Sequence, residues 1–224
     1  MTATLFDFDG VLVDSEPTHF AAFNDVLASH GLSISEKDYL ETYMALDDAG
    51  VFRAVLSRGG RTLREEEVRS LVAAKNPRFM ARFEQTFRTF PGATELVARR
   101  AARGPVAIVS GALGSEIEFA LTKMGIRDLV KVIVSADRAP TSKPDPGPFL
   151  LGLAELQQLH GADARVKAAA IEDTAGGVLA AKRAGLRCIA VTHTSAAASL
   201  TAAGADAVVP DLASITDALL EGGA

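Results

Sequence analysis

Three runs in this chain are apolar at every position: Val106-Ala107-Ile108-Val109, Val132-Ile133-Val134 and Cys188-Ile189-Ala190-Val191. A strand with no polar alternation has no face to offer water, so it belongs in a sheet covered on both sides. The spacing predicts strands over 4–8, 105–110, 131–135, 167–171, 187–191 and 207–209. Helices are predicted between them over 93–103, 115–124, 149–159 and 177–184. The segment Lys167-Ala168-Ala169-Ala170-Ile171 is the exception in composition, because alanine favours helix. Strand and helix in alternation define an α/β fold with a doubly wound, Rossmann-like parallel sheet.

One segment interrupts that rhythm. From Glu16 to Phe87 the pattern is helical and rich in charge, as in His19-Phe20-x-x-Phe23-x-x-x-Leu27. The run Glu65-Glu66-Glu67 suits the first turn of a helix, facing the positive end of its dipole, and reads as a solvated face. The expected organisation is a core domain from residues 1–15 and 88–224 with a helical insertion at 16–87. A chain of 224 residues can hold one large α/β domain with such an insertion. No internal repeat or low-complexity segment is apparent.

Composition removes several classes of function. Net charge is −5, Trp is absent and aromatics make up only 6%. Neither a basic footprint nor a row of stacking platforms for nucleic acid is present, and nothing favours an anionic membrane. The start of the chain lacks the basic and apolar pattern of a signal peptide, and no stretch has the roughly 18 apolar residues of a membrane helix. A cytoplasmic location is expected. The single cysteine, Cys188, lies in an apolar run and reads as a buried structural thiol.

In an open parallel sheet, ligands bind beyond the carboxyl ends of the strands. Asp7 and Asp9, Ser110 with Gly111, Lys143, and Glu172 with Asp173 all fall at or just past predicted strand ends. Gathered at one edge, the carboxylates of Asp7, Asp9, Glu172 and Asp173 need neutralising charge. Mg²⁺, which favours one or two carboxylates, water and phosphate oxygens, suits such a set, and Lys143 adds a further positive charge. An aspartate can attack a phosphate ester to form an acyl phosphate that water then hydrolyses, while a second carboxyl group handles the protons. Residues two apart on a strand point to opposite faces, so the turn at Gly10 has to bring Asp9 back toward the site. Ser110, before Gly111 and a helix, offers a hydroxyl and backbone amides to phosphate oxygens.

The stretch Asp7-Phe8-Asp9-Gly10-Val11-Leu12-Val13-Asp14-Ser15 resembles the first motif of haloacid dehalogenase superfamily hydrolases. Ser110 matches the second motif, Lys143-Pro144-Asp145-Pro146 the third and Glu172-Asp173-Thr174 the fourth. The helical insertion is similar to the small cap of the phosphoglycolate phosphatase and β-phosphoglucomutase-like subgroup. The resemblance implies that Asp7 is nucleophile and metal ligand, and that Asp9 is acid/base with its carbonyl on Mg²⁺. Ser110, Gly111 and Lys143 would hold the phosphoryl group, Asp173 would bind the metal, and Glu172 would bind it directly or through water. Dehalogenases and phosphonatases of the group lack an aspartate two residues after the nucleophile, so Asp9 points to phosphate esters of small metabolites.

Rival readings remain in view. A phosphomutase would share every core residue, but the Gly-x-Ser-Arg-like cap segment of the mutases is not seen around Ala45-Leu46-Asp47-Asp48-Ala49-Gly50. A signalling receiver also phosphorylates an aspartate, yet its acidic pair precedes that residue and it has no cap. An EF-hand starting at Asp7 fails, because its sixth and twelfth positions hold Leu12 and Thr18. Neither a P-loop nor a dinucleotide fingerprint occurs. His19, Met44, Asp47 and Arg53 are the cap candidates for substrate contact, with Tyr43, Asp48 and Arg58 behind them. Asp14 and Asp145 read as helix or turn caps. His30, His160 and His193 show no metal-ligand spacing and read as surface or loop residues.

Overall fold

The computed structural model describes residues 2–44, 46–160 and 167–222. The chain divides into two compact units, Met1–Asp14 with Thr89–Ala224, and Ser15–Arg88.

The first unit is built on strands β1 (Thr2–Phe6), β2 (Val106–Val109), β3 (Val130–Val134), β4 (Lys167–Glu172), β5 (Arg187–Val191) and β6 (Ala207–Val209). They form one parallel sheet in the order β3-β2-β1-β4-β5-β6. The alanine-rich segment is a strand after all. Inserted between β1 and β5, its Ala169 and Ala170 are fully buried, and tertiary pairing overrides the helical preference of alanine. Leu5, Val109, Val134, Ala170 and Cys188 pack with Phe149 and Val178 on one face. The alternate residues Phe6, Ile108 and Ile171 are buried too, so both faces are covered, as an all-apolar strand demands. Each such Val, Ile or Phe contributes about 1.5–3 kcal/mol by leaving water.

Helices α5 (Ala93–Ala101), α6 (Gly114–Lys123), α7 (Gly147–His160), α8 (Ala175–Arg183), α9 (Ala197–Ala202) and α10 (Asp217–Glu221) complete this unit. The last two are absent from the helices that periodicity predicts. Each is short and buries a single leucine, Leu200 or Leu220, which gives no period to read. Arg100 of α5 is fully buried beneath the sheet. Its Nε donates to Thr4 Oγ1 at 3.0 Å and its Nη2 to the Thr2 carbonyl at 3.1 Å. Its Nη1 donates to Asp217 Oδ1 at 2.7 Å and Glu221 Oε1 at 3.2 Å, which ties α10 to the start of β1.

The second unit holds α1 (Glu16–Leu27), the single turn α2 (Glu36–Asp38), a wide helical turn over Tyr39–Tyr43, α3 (Asp48–Arg58) and α4 (Glu65–Thr86). Phe23, Leu27, Tyr39, Tyr43, Phe52, Leu56 and Leu71 form its own core. Where this segment leaves and rejoins the first unit, Val13 makes an antiparallel bridge with Thr89, and the Phe90 amide donates to the Leu12 carbonyl at 3.1 Å. No helix among the described residues is long and apolar enough to cross a membrane.

Candidate active site

Register assembles the site. Phe6 of β1 pairs with Ile171 of β4, so the next residues, Asp7 and Glu172, emerge side by side from neighbouring strands. The Asp7 amide confirms the alignment by donating to the Ile171 carbonyl at 2.9 Å. On the other side Phe6 pairs with Ile108, which brings Val109 and Ser110 to the same level.

Lys143 closes the cluster from the loop after β3. Its Nζ donates to Asp7 Oδ1 at 2.5 Å, to Glu172 Oε1 at 2.6 Å and to the Val109 carbonyl at 2.8 Å. Asp7, Glu172 and Asp173 are all buried, and they offer carboxylate oxygens within 4.8 Å of one another. Burial pushes the Asp7 carboxyl up to about 8; Lys143 pulls it down, while the charges of Glu172 and Asp9 raise it further. Burial likewise raises Asp173 well above the usual carboxylate range, with Asp7 and Glu172 adding to the effect. Burial opposes the charged form of Lys143, but Asp7 and Glu172 outweigh it and hold the ammonium above its ordinary value.

Among the described residues, three buried carboxylates thus face a single ammonium, and Oδ1 of Asp173 is buried without a hydrogen-bond partner. Hard oxygen donors with surplus negative charge and one unsatisfied oxygen fit a divalent cation such as Mg²⁺.

Glycine makes room for both acidic residues. Gly10 has φ +76°, and a Cβ there would stand 1.9 Å from Asp173 Oδ2. Gly177, in the first turn of α8, is the only fit beside Glu172, because a Cβ would lie 2.0 Å from its carboxyl group. Glu172 Oε2 also accepts from the Asp173 amide at 3.2 Å and Thr174 Oγ1 at 3.3 Å, so both its oxygens have protein donors.

At the β2 end, Ser110 is buried and its Oγ accepts from the Ala112 amide at 3.0 Å. The amides of Leu113 and Gly114 are bonded to Glu116 Oε2 at 3.1 Å and Asp137 Oδ1 at 2.9 Å. The amides of Ala112, Leu113 and Gly114 at this helix start are thus engaged by side chains. Gly111 is exposed, with open space around it. Asp9 is half-buried beside the cluster and contributes its charge there. Asp145 caps its own turn, accepting from Thr141 Oγ1 at 2.8 Å and the Gly147 amide at 2.7 Å.

His193 is a half-buried loop residue. In the loop after β5, its Nδ1–H donates to the Gly10 carbonyl at 2.8 Å, and its ring stacks on Phe90 at 3.9 Å. The adjacent Thr194 donates its hydroxyl to Asp173 Oδ2. The proximity of this loop to the first motif follows from the strand order, in which β5 lies beside β4. Cys188 is fully buried, and burial pushes its thiol above its ordinary value, as fits a structural residue.

Within the helical unit, the candidates are engaged locally. Asp47 caps α3 by accepting from the Gly50 amide at 2.7 Å, and Arg53 pairs with Glu65 at 2.7 Å on the surface. Met44 packs against the unit's apolar core, and Arg58 lies over the Tyr43 ring at 5.2 Å. His19 stacks on Phe79 and contacts Lys75, which no sequence motif marks. Lys75 is buried, with its Nζ 2.5 Å from Asp48 Oδ1, 2.8 Å from His19 Nδ1 and 4.3 Å from the centre of the Phe23 ring. His30 is exposed and meets Arg61. Ala45 and the side chain of His160 lie outside the described residues.

A parallel α/β sheet whose strand ends gather Asp7, Lys143, Glu172 and Asp173 is the arrangement of the haloacid dehalogenase-like hydrolases, and the chain belongs to that family: the family profile matches residues 4–191. It is an enzyme of that hydrolase class. It is 33% identical over 192 residues to hexitol phosphatase B of Escherichia coli, covering 84% of this chain and 82% of that one. To phosphoglycolate phosphatase of Yersinia pestis it is 28% identical over 189 residues, covering 84% and 79%. Among solved structures, CbbY from Rhodobacter sphaeroides in complex with phosphate superimposes with a TM-score of 0.83 at 27% identity, covering 99% of both chains.

Proposed function

We propose that the chain is a magnesium-dependent phosphatase of a small phosphate monoester, a sugar phosphate or a short acid phosphate such as phosphoglycolate. The observation that carries this reading is Lys143 Nζ at 2.5 Å from Asp7 Oδ1 within a buried carboxylate cluster that leaves Asp173 Oδ1 unsatisfied. Asp7, Asp173, the Asp9 carbonyl and, through water, Glu172 are the groups that would hold Mg²⁺, whose charge when bound offsets that of the phosphoryl oxygens.

Asp7 attacks phosphorus and the ester P–O bond breaks, with Asp9 giving its proton to the departing alkoxide. Asp9 then takes a proton from the water that attacks the phosphorus of the aspartyl phosphate, releasing inorganic phosphate and free Asp7. Lys143 and Ser110 hold the transferring group, and Lys143 also opposes the effect of burial on the Asp7 carboxyl by favouring its charged form. That the helical unit serves as a cap and selects the substrate is part of the same proposal.

The test is inorganic phosphate release from a panel of sugar and short-acid phosphates, with Mg²⁺ and with chelator. Metal-dependent continuous release from wild type, abolished in Asp7→Asn, is expected, because an amide is a far poorer nucleophile. Isomer conversion without net phosphate release would mark a phosphomutase instead, and substantial turnover by Asp7→Asn would remove Asp7 from its role.

A further inference from the structure

The two carboxylate oxygens of Asp173 have unlike surroundings. Oδ1 is buried and has no hydrogen-bond partner among the described residues. Oδ2 accepts the Thr194 hydroxyl, which also lies 3.2 Å from the Asp173 carbonyl, so one side chain grips the residue at two points. Gly10 walls Oδ2 from the other side: a Cβ on that glycine would stand 1.9 Å from Oδ2 and 3.0 Å from Thr194 Cγ2. Asp173 itself is almost fully buried, so its carboxylate has no solvent-side route to rotate. Presenting both oxygens to an ion would have to compete with the Thr194 hydrogen bond at Oδ2 and crowd the Gly10 backbone.

We propose that Thr194 makes Asp173 a one-oxygen metal ligand and thereby sets the preference of the site for Mg²⁺ over Ca²⁺. The inference rests on the metal-binding reading of the site given above. Mg²⁺ takes six ligands at about 2.0–2.1 Å in near-octahedral geometry, for which single carboxylate oxygens are suited. Ca²⁺ takes about 6–8 oxygens at about 2.3–2.6 Å and gains from carboxylates that offer both oxygens. Holding Oδ2 on a hydroxyl withholds that second oxygen, and Thr194 is a positioning residue in this sense. Groups that orient metal ligands typically change affinity by about 10–100-fold when removed.

The experiment is calorimetric titration of the full chain with Mg²⁺ alone and with Ca²⁺ alone, for wild type, Thr194→Val, Thr194→Ala and Thr194→Ser. Valine keeps the shape of the side chain and alanine removes it, so a folding defect in one leaves the other to decide. The expected result is a fall of about tenfold in the ratio of the Ca²⁺ Kd to the Mg²⁺ Kd for valine and alanine, with serine restoring the wild-type ratio. An unchanged ratio in both hydroxyl-free variants, or failure of serine to rescue, overturns the assignment of Thr194. Asp173→Ala separates the two levels of the reading: if it binds Mg²⁺ as wild type does, the metal site itself falls and the Thr194 proposal with it.

Discussion

Two adjacent glycines in α8 should respond to alanine with opposite signs. Alanine in a helix is more favourable than glycine by up to about 1 kcal/mol. At Gly176 an added Cβ meets nothing within 4 Å, so Gly176→Ala should stabilise the chain by about 0.5 kcal/mol, the smaller gain reflecting its place in the first turn. At Gly177 the same methyl group would stand 2.0 Å from the Glu172 carboxyl carbon. Carbon atoms settle at about 3.5–4.0 Å, so the carboxyl has to move by roughly 1.5 Å. It is fully buried and cannot swing into solvent, and such a shift carries Oε1 out of reach of Lys143 Nζ, now 2.6 Å away. Losing a buried charged hydrogen bond costs about 1.5–3 kcal/mol, and overpacking adds about 1–3 kcal/mol. Against the helix gain, the net destabilisation is about 3 kcal/mol, which for a chain of this size lowers Tm by about 6–12 °C. Thermal and urea unfolding of the two variants at pH 7, followed by circular dichroism, gives the comparison. A Gly177→Ala protein that melts at or above wild type would refute the claim that the glycine exists to admit the Glu172 carboxylate.

The buried ion pair of the helical unit should be asymmetric: Asp48→Ala strands the buried Lys75 ammonium and should cost about 2–4 kcal/mol in urea unfolding, whereas Lys75→Met leaves a partly exposed carboxylate and should cost less than about 1 kcal/mol. Burial raises the Asp217 carboxyl, but the Arg100 hydrogen bond and the charges of Arg100, Arg103 and Arg99 prevail and hold it below its ordinary value. A carboxylate lowered in the folded state stabilises above its unfolded pKa, and that contribution fades as pH falls through the folded value. The urea-midpoint gap between wild type and Asp217→Asn should therefore be constant near pH 7 and shrink below about pH 4, and a gap that widens in acid would contradict the pairing. His193→Ala removes a hydrogen bond and a stacked ring, so stability should drop by about 1–3 kcal/mol. A double-mutant cycle with Phe90→Leu should give a coupling of about 1 kcal/mol, and zero coupling would show the stacking to be inert.

The parallel sheet was legible because strands buried on both faces cannot hide their composition, and the site was legible because its ionisable residues sit at strand ends. Asp7, Lys143, Glu172 and Asp173 could thus be brought together before any strand order was known. The order β3-β2-β1-β4-β5-β6 itself carries no sequence mark, and without it nothing places the loop after β5 against the first motif. That is why His193 read as a loop histidine and Thr194 drew no notice: their partners are a backbone carbonyl freed by the Gly10 turn and an oxygen of Asp173. Lys75 was hidden for another reason. It lies in a strongly polar helix, and its burial beside Asp48, His19 and the rings of Phe23 and Phe79 shows that it faces inward. Arg100 likewise stands in a basic run, Arg99-Arg100-x-x-Arg103, with no pattern to single it out, yet it alone of the three is fully buried.

The bridge between Val13 and Thr89 has a consequence for how the chain acquires its structure. Strand β1 is synthesised first but pairs only with residues near 106–108 and 167–171, contacts of long sequence separation that make folding slow. Bringing Val13 to Thr89 requires closing the loop between them, at an entropic cost that grows with the logarithm of its length. The helical segment has its own apolar core, in which α1 packs on α4, so once collapsed it delivers both ends already close together. On this view the insertion acts as a folded clamp that shortens the effective chain before the sheet zips. Substitutions that loosen its core, such as Phe52→Ala, should slow the appearance of the sheet even though they lie outside it.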